Sequence, residues 1–142
     1  MRHKRGAALA LAALVLAIAG LAYFYFVQYA EATTEYQKLI SLEGETPSTL
    51  CYLGYTYTKS GKRDEALAIL DKLKTTKEYV SPAELAALYV GLGNKEAALD
   101  ALERAYREHD LQMQYLKVDP HYDALRSEAR FQDILRRTGL PQ

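Results

Sequence analysis

The sequence predicts an all-α protein, in which one amino-terminal hydrophobic helix precedes a short solenoid of paired helices. No stretch shows the alternation of apolar and polar residues that is typical of a half-buried strand. A run without charged side chains occupies residues 6–27, and helix-start patterns recur after it. A set of six residues also occurs twice, 32 positions apart: Leu53, Gly54, Tyr57, Gly61, Ala66 and Leu70, and then Leu85, Ala86, Tyr89, Gly93, Ala98 and Leu102. A repeat of this length is typical of stacked helical units.

The apolar run Gly6–Val27 predicts a transmembrane helix. Its 22 residues carry no charge, and at about 1.5 Å per residue they extend over roughly 33 Å, the thickness of a bilayer core. Arg2, Lys4 and Arg5 precede the run, so the positive-inside rule keeps residues 1–5 in the cytoplasm as a basic tail and places the rest outside. A cluster at the outer end is typical of a membrane-interface belt; its members are Tyr23, Phe24, Tyr25, Phe26 and Tyr29.

A cleaved signal peptide is the alternative interpretation of the same segment. Ala17-Ile18-Ala19 satisfies the small-x-small cleavage pattern, and Ala30-Glu31-Ala32 offers a second, later site. Cleavage after Ala19 would leave a mature end rich in apolar and aromatic residues, with nothing evident to bury it. The sequence therefore favours the uncleaved anchor, and both interpretations place the remainder outside the cytoplasm.

A membrane-proximal segment and a first helix pair follow the anchor. Residues 28–45 show a helical spacing of apolar side chains, which extends the membrane helix outward as a linker. Thr46-Pro47 begins the next helix, with threonine as the N-cap and proline at the first helical position, and this helix runs to about Ser60. Its partner begins near Arg63 and ends near Thr76, which completes the first pair.

A second helix pair starts at Ser81-Pro82-Ala83-Glu84. This string combines proline at the first helical position with a Ser-x-x-Glu capping box. Gly91-Leu92-Gly93-Asn94 ends the first helix of the pair, because its glycines permit a tight turn. The return helix covers residues 95–109.

At these positions the two units resemble tetratricopeptide repeats. That family places a bulky residue, Leu-Gly and Tyr in the first helix, and Ala, a large apolar residue and Ala in the second. The matching residues are Leu50, Leu53, Gly54, Tyr57, Ala66, Leu70 and Leu73 in the first unit, and Leu85, Ala86, Tyr89, Ala98, Leu102 and Ala105 in the second. The resemblance implies a tetratricopeptide-like helical solenoid of two repeats over residues 46–109. Such solenoids bind other proteins.

The carboxyl end is similar to the closing segment of many bacterial tetratricopeptide proteins whose repeats follow a membrane helix. Most of residues 116–141 carries this resemblance. Asp119-Pro120 begins a short helix, Ser127 caps a final one, and Gly139-Leu140-Pro141 ends it. Residues 110–142 are therefore predicted to form capping helices that shield the apolar face of the second unit.

The resemblance also implies a protein-binding groove on the inner surface of the first helices. The inner positions of the family map onto Ser48, Cys51, Tyr55, Thr58 and Lys59, and onto Val80, Ala83, Ala87, Val90 and Gly91. The Lys and Asn pattern with which some relatives hold a peptide carboxylate is absent. An apolar helix or extended segment beside Tyr55 is therefore the expected ligand. The alternative is that the chain's own helix 31–44 covers this face.

Composition and motifs predict neither an enzyme nor a cofactor or metal site. Net charge is zero and the first five residues carry three positive charges, so the remainder is net negative, unlike a nucleic-acid-binding surface. Cys51 is the only cysteine, which excludes an intramolecular disulfide, and it is expected to be a small packed hydrophobe. His109 and His121 belong to no ligand motif and are expected to be solvated or to cap helices. No catalytic residue is predicted.

Together these features predict a membrane-anchored adaptor that binds another protein or assembles a complex on the extracytoplasmic side. The resemblance places it in the bacterial inner membrane as a single-pass protein, with the amino terminus inside and the repeat domain in the periplasm. The expected partners are membrane-associated proteins, and lipid around Gly6–Val27, with no nucleic acid. The alternative is a small accessory subunit of a membrane complex, held by its transmembrane helix. A secreted ligand-binding module is a third interpretation and requires cleavage.

Overall fold

One unbroken helix, α1, forms the amino-terminal part of the molecule and covers Arg2–Glu43. The computed structural model describes the backbone of residues 2–140 and the side chains of residues 11–140. The side chains of the predicted basic tail 1–5, and Pro141, lie outside this description. At about 1.5 Å per residue, the 42 residues of α1 extend over roughly 63 Å. The predicted membrane span and the segment that follows it are therefore parts of a single rod.

Short helices joined by tight turns follow α1. They are α2 (Pro47–Lys59), α3 (Arg63–Thr75), α4 (Pro82–Gly91), α5 (Lys95–Arg107), the 3-10 helices η1 (Leu111–Tyr115) and η2 (Pro120–Leu125), and α6 (Ala129–Arg137). The predicted helix pairs are present within one or two residues of their expected bounds. The all-α class is confirmed for residues 2–140, among which no strand occurs.

Threonine and serine N-caps begin α2 and α4, as the sequence predicts. The Thr49 N–H donates to the Thr46 hydroxyl over 3.1 Å, and the Thr46 N–H donates to the Thr49 hydroxyl over 3.0 Å, which makes a complete capping box. At α4, the Glu84 N–H donates to the Ser81 hydroxyl over 3.2 Å. The second bond of the box, in which the Ser81 N–H would donate to the Glu84 carboxylate, is not formed. The Glu84 carboxylate instead accepts the Ser48 hydroxyl of α2.

The predicted cap of the last helix is wrong. Glu128, rather than Ser127, occupies the N-cap position of α6, and no side chain caps this helix. The backbone N–H of Glu128 is held by the carbonyl of Leu125, which extends the turn after η2 by one residue. The Glu128 carboxylate faces Lys95 at 3.0 Å. The start of α6 therefore depends on its contacts with α5 and not on a local cap.

The hydrophobic core consists of two clusters that meet at α4. Side chains of α2 and α3 form the first cluster, together with Leu88 and Leu92 from the end of α4. Side chains of α4, α5, η1, η2 and α6 form the second, together with Leu116 directly after η1. Leu88 is fully buried in the first cluster although it belongs to α4, and Tyr89 packs against both. Gly54 permits this approach, because a Cβ atom there would lie 2.8 Å from Leu88 Cδ1. The two helix pairs are thus coupled through α4.

The second half of α1 packs along α2 in the opposite direction. The Tyr36 ring stacks on that of Tyr52 with centroids 6.4 Å apart, and the Thr33 and Thr56 hydroxyls are 3.4 Å apart. Tyr36 and Ile40 also pack against the first core cluster. By contrast, every side chain from 11 to 26 is exposed. The helix therefore changes from fully exposed to packed where the predicted membrane span ends.

The carboxyl-terminal helix α6 closes the molecule against α5. Phe131 and Ile134 are fully buried. Charged pairs surround them: Arg130 lies 2.6 Å from Asp100, and Arg137 lies 2.7 Å from Glu103. Exposed pairs of this kind add little stability, so apolar burial is the main contribution.

We predict that Leu88→Ala lowers the free energy of unfolding by about 2–5 kcal/mol, because it opens a cavity where the two core clusters meet. Leu67→Ala is the matched control, since Leu67 lies on α3 with 38% of its surface exposed; its effect is expected to be below about 1 kcal/mol. Urea unfolding of the full chain, followed by circular dichroism, measures both. Equal effects of the two substitutions would contradict the coupling through α4.

Candidate functional site

The structure buries most of the predicted groove. Cys51 is 0% exposed, Ala83 and Ala87 are each 1% exposed, and Tyr55 and Val90 are each 8% exposed. Ser48, Thr58, Val80 and Gly91 are half-buried, and only Lys59 is exposed. These residues do come together, because α2 and α4 lie side by side in the same direction. Most of them are nevertheless covered by other parts of the chain.

The helix η2 covers the α4 part of this face. The Tyr122 hydroxyl donates to the Ala83 carbonyl over 2.8 Å, and the Tyr122 side chain is only 2% exposed. It belongs to the same core cluster as Ala83, Ala87 and Val90. The chain's own covering segment is therefore η2 across α4. The segment 31–44, which the sequence suggested for this role, packs along α2.

An aromatic junction joins α1, α2 and η2 at the side of the groove. The His121 ring lies 4.4 Å from the Tyr55 ring and 5.2 Å from the Tyr52 ring, measured between centroids. His121 Nδ1 is 2.5 Å from Asp119 Oδ1. Of the two predicted roles of His121, solvated or helix-capping, the structure places the half-buried ring at the start of η2, in contact with its N-cap residue Asp119. Burial is the main cause that raises the pKa of Tyr52 and of Tyr55.

A first cleft, which we call the proximal cleft, opens at the carboxyl ends of α2 and α4. Its volume is about 480 Å³, and its lining includes Tyr25, Tyr29, Tyr55, Lys59 and His121. Two of the predicted belt residues, Tyr25 and Tyr29, thus face the helical domain. Tyr29 is half-buried there, whereas Tyr23, Phe24, Tyr25 and Phe26 are exposed. The proximal cleft lies at the junction between the exposed and packed parts of α1.

A second cleft, which we call the distal cleft, opens at the amino ends of α2 and α4. Its volume is about 470 Å³, and its lining includes Ser48, Tyr79, Glu84, Glu108 and Asp110. Because α2 has 13 residues, the two clefts are separated by roughly 20 Å along the helix axis. The distal cleft therefore lies at the end of the domain that is remote from the apolar half of α1.

Glu84 is a buried carboxylate in the wall of the distal cleft. The residue is 5% exposed, and its Oε1 accepts the Ser48 hydroxyl over 2.8 Å. Within the part of the chain that the structure describes, Oε2 accepts no hydrogen bond and no lysine, arginine or histidine pairs with Glu84. Burial raises the pKa of Glu84 and the nearby Asp110 adds to the rise, while the Ser48 hydrogen bond opposes it.

Asp110 holds the adjoining segment in place. Its Oδ2 accepts the Ser81 hydroxyl over 2.7 Å and the Ala83 N–H over 3.2 Å, and its Oδ1 accepts the Gln112 N–H over 3.0 Å. All three donors are neutral, and no cationic side chain of the described residues pairs with Asp110. This carboxylate fixes η1 against the start of α4 and adds negative potential to the distal cleft.

Sequence reasoning missed Glu84 and Asp110 as partners of other helices. Glu84 was assigned to a local capping box, and its contact with Ser48 spans 36 positions. One local signal was available, because Glu84 is the only charged residue within the otherwise apolar helix α4. A carboxylate in a helix that packs on both sides needs a hydrogen-bond partner from a neighbouring element if it is buried.

No group of three or more metal-binding side chains of the His, Cys, Asp or Glu type occurs among the residues that the structure describes. The absence of an enzyme activity, a cofactor and a metal site stays a prediction from the sequence. The groove residues likewise have positions but no tested binding role.

We predict that Glu84→Gln raises the free energy of unfolding near pH 7, by about 1 kcal/mol, since an amide keeps the Ser48 hydrogen bond and loses the buried charge. The pKa of Glu84 is higher in the folded chain than its ordinary value of 4.5. The charge therefore destabilises the fold above the folded pKa, and this effect disappears below pH 4.5. Unfolding free energies between pH 4 and 8 measure the difference. Glu78→Gln, at an exposed loop position, is the control and should show no such pH dependence.

No family model, curated protein or solved structure matches this chain. The resemblance to tetratricopeptide repeats consequently rests on the residues of this sequence alone.

Proposed function

We propose that this chain is a single-pass membrane protein whose helical domain, outside the cytoplasm, binds another protein as an adaptor or assembly factor. One observation carries the proposal. The helix Leu11–Glu43 includes a window of mean hydropathy 2.0, none of which is buried inside the molecule. The same helix then becomes part of the domain through Thr33, Tyr36 and Ile40. An apolar surface of this extent requires a nonaqueous environment, and a bilayer provides it.

The packing of α1 also supports the anchor over the cleaved signal peptide. Cleavage at Ala30-Glu31-Ala32 would detach Tyr29 from Tyr55 and leave Thr33 as the terminal residue of a packed helix. Cleavage after Ala19 would leave exposed apolar side chains, among them Leu21 and Phe24, which are 58% and 57% exposed. The first product loses part of the packed α1 surface, and the second keeps an exposed apolar amino-terminal segment.

The helix arrangement supports the protein-binding part of the proposal. The pairs α2–α3 and α4–α5 are helices joined by tight turns, and α2 packs beside α4 with Gly54 at the close approach, which is compatible with the resemblance to tetratricopeptide units. A solenoid of such units binds proteins through the surfaces that its own cap leaves open. Here η2 covers the middle of the inner face, so the open surfaces are its two ends, the proximal and distal clefts.

We predict the topology from this proposal. A cysteine that replaces exposed Ser127 should react with a membrane-impermeant maleimide on intact cells, and one that replaces His3 should react only after permeabilisation. The native thiol does not interfere, because Cys51 is fully buried and burial raises its pKa to about 12. Labelling detected by gel shift measures both. The reverse pattern would exclude the extracytoplasmic domain.

We also predict that the full chain, purified from gently solubilised native membranes, recovers a stoichiometric protein partner. The matched variant replaces residues 6–27 by an unrelated apolar helix of equal length. An adaptor keeps the same partner with either helix, because the domain makes the contact. Loss of the partner with the replaced helix would favour the alternative function, an accessory subunit held by its transmembrane helix. If neither protein recovers a partner, the proposed function is wrong.

A further inference from the structure

We infer that the distal cleft binds a basic side chain from an extended segment of the partner protein, with Glu84 as the counter-ion. This inference rests on the proposed function and names the chemistry of the partner. It depends on three features of the cleft: an uncompensated buried carboxylate, exposed apolar side chains beside it, and an open position at the end of the domain.

The charge of the cleft is the first feature. Glu84 and Asp110 lack a cationic partner in the described residues, whereas Glu108 is neutralised by Arg104 at 2.8 Å. Among the residues that line the cleft, His109 is the only histidine, lysine or arginine, and its side chain is exposed. The cleft is therefore electrostatically complementary to a cation and opposed to an anion.

The Oε2 atom of Glu84 is the part of the site that can accept a hydrogen bond from a ligand. The residue is only 5% exposed. Among the described residues, every side-chain oxygen or nitrogen that is fully shielded from solvent has a hydrogen-bond partner. Oε2, which has no partner, therefore reaches the solvent of the cleft. A guanidinium or ammonium group placed there gains a charge-assisted hydrogen bond in partly desolvated surroundings.

The apolar rim indicates that the cation belongs to a protein segment and not to a free small ion. Tyr79 is 66% exposed and Leu111 is 81% exposed, and both line the distal cleft. They give a segment that carries apolar and basic residues an apolar contact in the same cleft as Glu84. A volume of about 470 Å³ is in the range of sites that enclose an organic side chain.

The orientation of the domain leaves this site accessible. The proximal cleft contains Tyr25 and Tyr29 and faces the apolar half of α1, so a bilayer around residues 6–27 approaches that end. The distal cleft lies at the opposite ends of α2 and α4. A partner therefore reaches it without displacing lipid or the covering helix η2.

Peptide binding to the full chain in lipid nanodiscs tests the inference. The probe is acetyl-Leu-Arg-Leu-amide, and its control carries citrulline, which keeps the shape of arginine and removes the charge. Amide chemical shifts of Ala83, Glu84 and Gln112 report occupancy of the distal cleft. We expect the arginine peptide to shift these amides and to bind at least tenfold more tightly than the citrulline peptide.

Matched variants assign the contact. Glu84→Gln should weaken binding of the arginine peptide at least tenfold, whereas Glu108→Gln, which removes a charge already paired with Arg104, should change it less than twofold. Leu111→Ser should weaken binding of the arginine peptide but leave binding of n-butylguanidinium unchanged. Equal effects of the two glutamine variants, or no discrimination against citrulline, would overturn the inference. If n-butylguanidinium binds as tightly as the peptide, the site takes a small cation and the partner-segment inference is wrong.

The outcome is separable from that of the proposed function. If the parent chain recovers a stoichiometric partner and the Glu84→Gln chain does not, the result supports both the proposed function and the role of the distal cleft. A partner that is retained by Glu84→Gln leaves the adaptor function in place and overturns the role of the distal cleft. The Glu84→Gln protein remains suitable for this test, because its fold is expected to be at least as stable as the parent.

Discussion

The antiparallel packing of α1 on α2 is the contact on which the rest of the molecule depends. The Tyr36 ring stacks on that of Tyr52, and the Thr33 hydroxyl approaches that of Thr56. Through these contacts the second half of α1 belongs to the helical domain, whereas its first half is the exposed apolar rod. Because both halves belong to one unbroken helix, this packing sets the direction of α2 relative to the apolar rod as well. The direction of α4 follows from its packing beside α2, and so does the position of the two clefts.

The sequence predicted the parts of the fold that local chemistry determines. Pro47 and Pro82 begin the first helix of each pair, and the positive φ of 77° at Gly61 and 78° at Gly93 permits the turn within each pair. The 32-residue repeat predicted which helices pair, because equivalent residues bury equivalent surfaces. The same rules gave the start of η2 at Asp119-Pro120.

The candidate site was predictable only in part, since its contacts join residues that are distant in sequence. Glu84 satisfies a local capping pattern, but its carboxylate turns to Ser48 because a hydroxyl donor on the neighbouring helix is available in the same buried space. Tyr122 was not singled out, although its side chain covers Ala83 and decides that the inner face is closed. Position in a repeat pattern identifies the face of a helix and does not show what another segment places on it.

The continuity of α1 has a consequence for the reach of any partner. Residues 28–43 extend about 24 Å beyond the end of residues 6–27 without a break. The rod acts as a spacer of fixed length, and the distal cleft is at the far end of it. Under the proposed topology, in which residues 6–27 span a bilayer, a partner in the same bilayer would need about seven extended residues outside the membrane to span that height. Under the proposed function, the length of α1 would therefore add a second condition to the charge of the distal cleft, namely how far a partner segment projects from the bilayer.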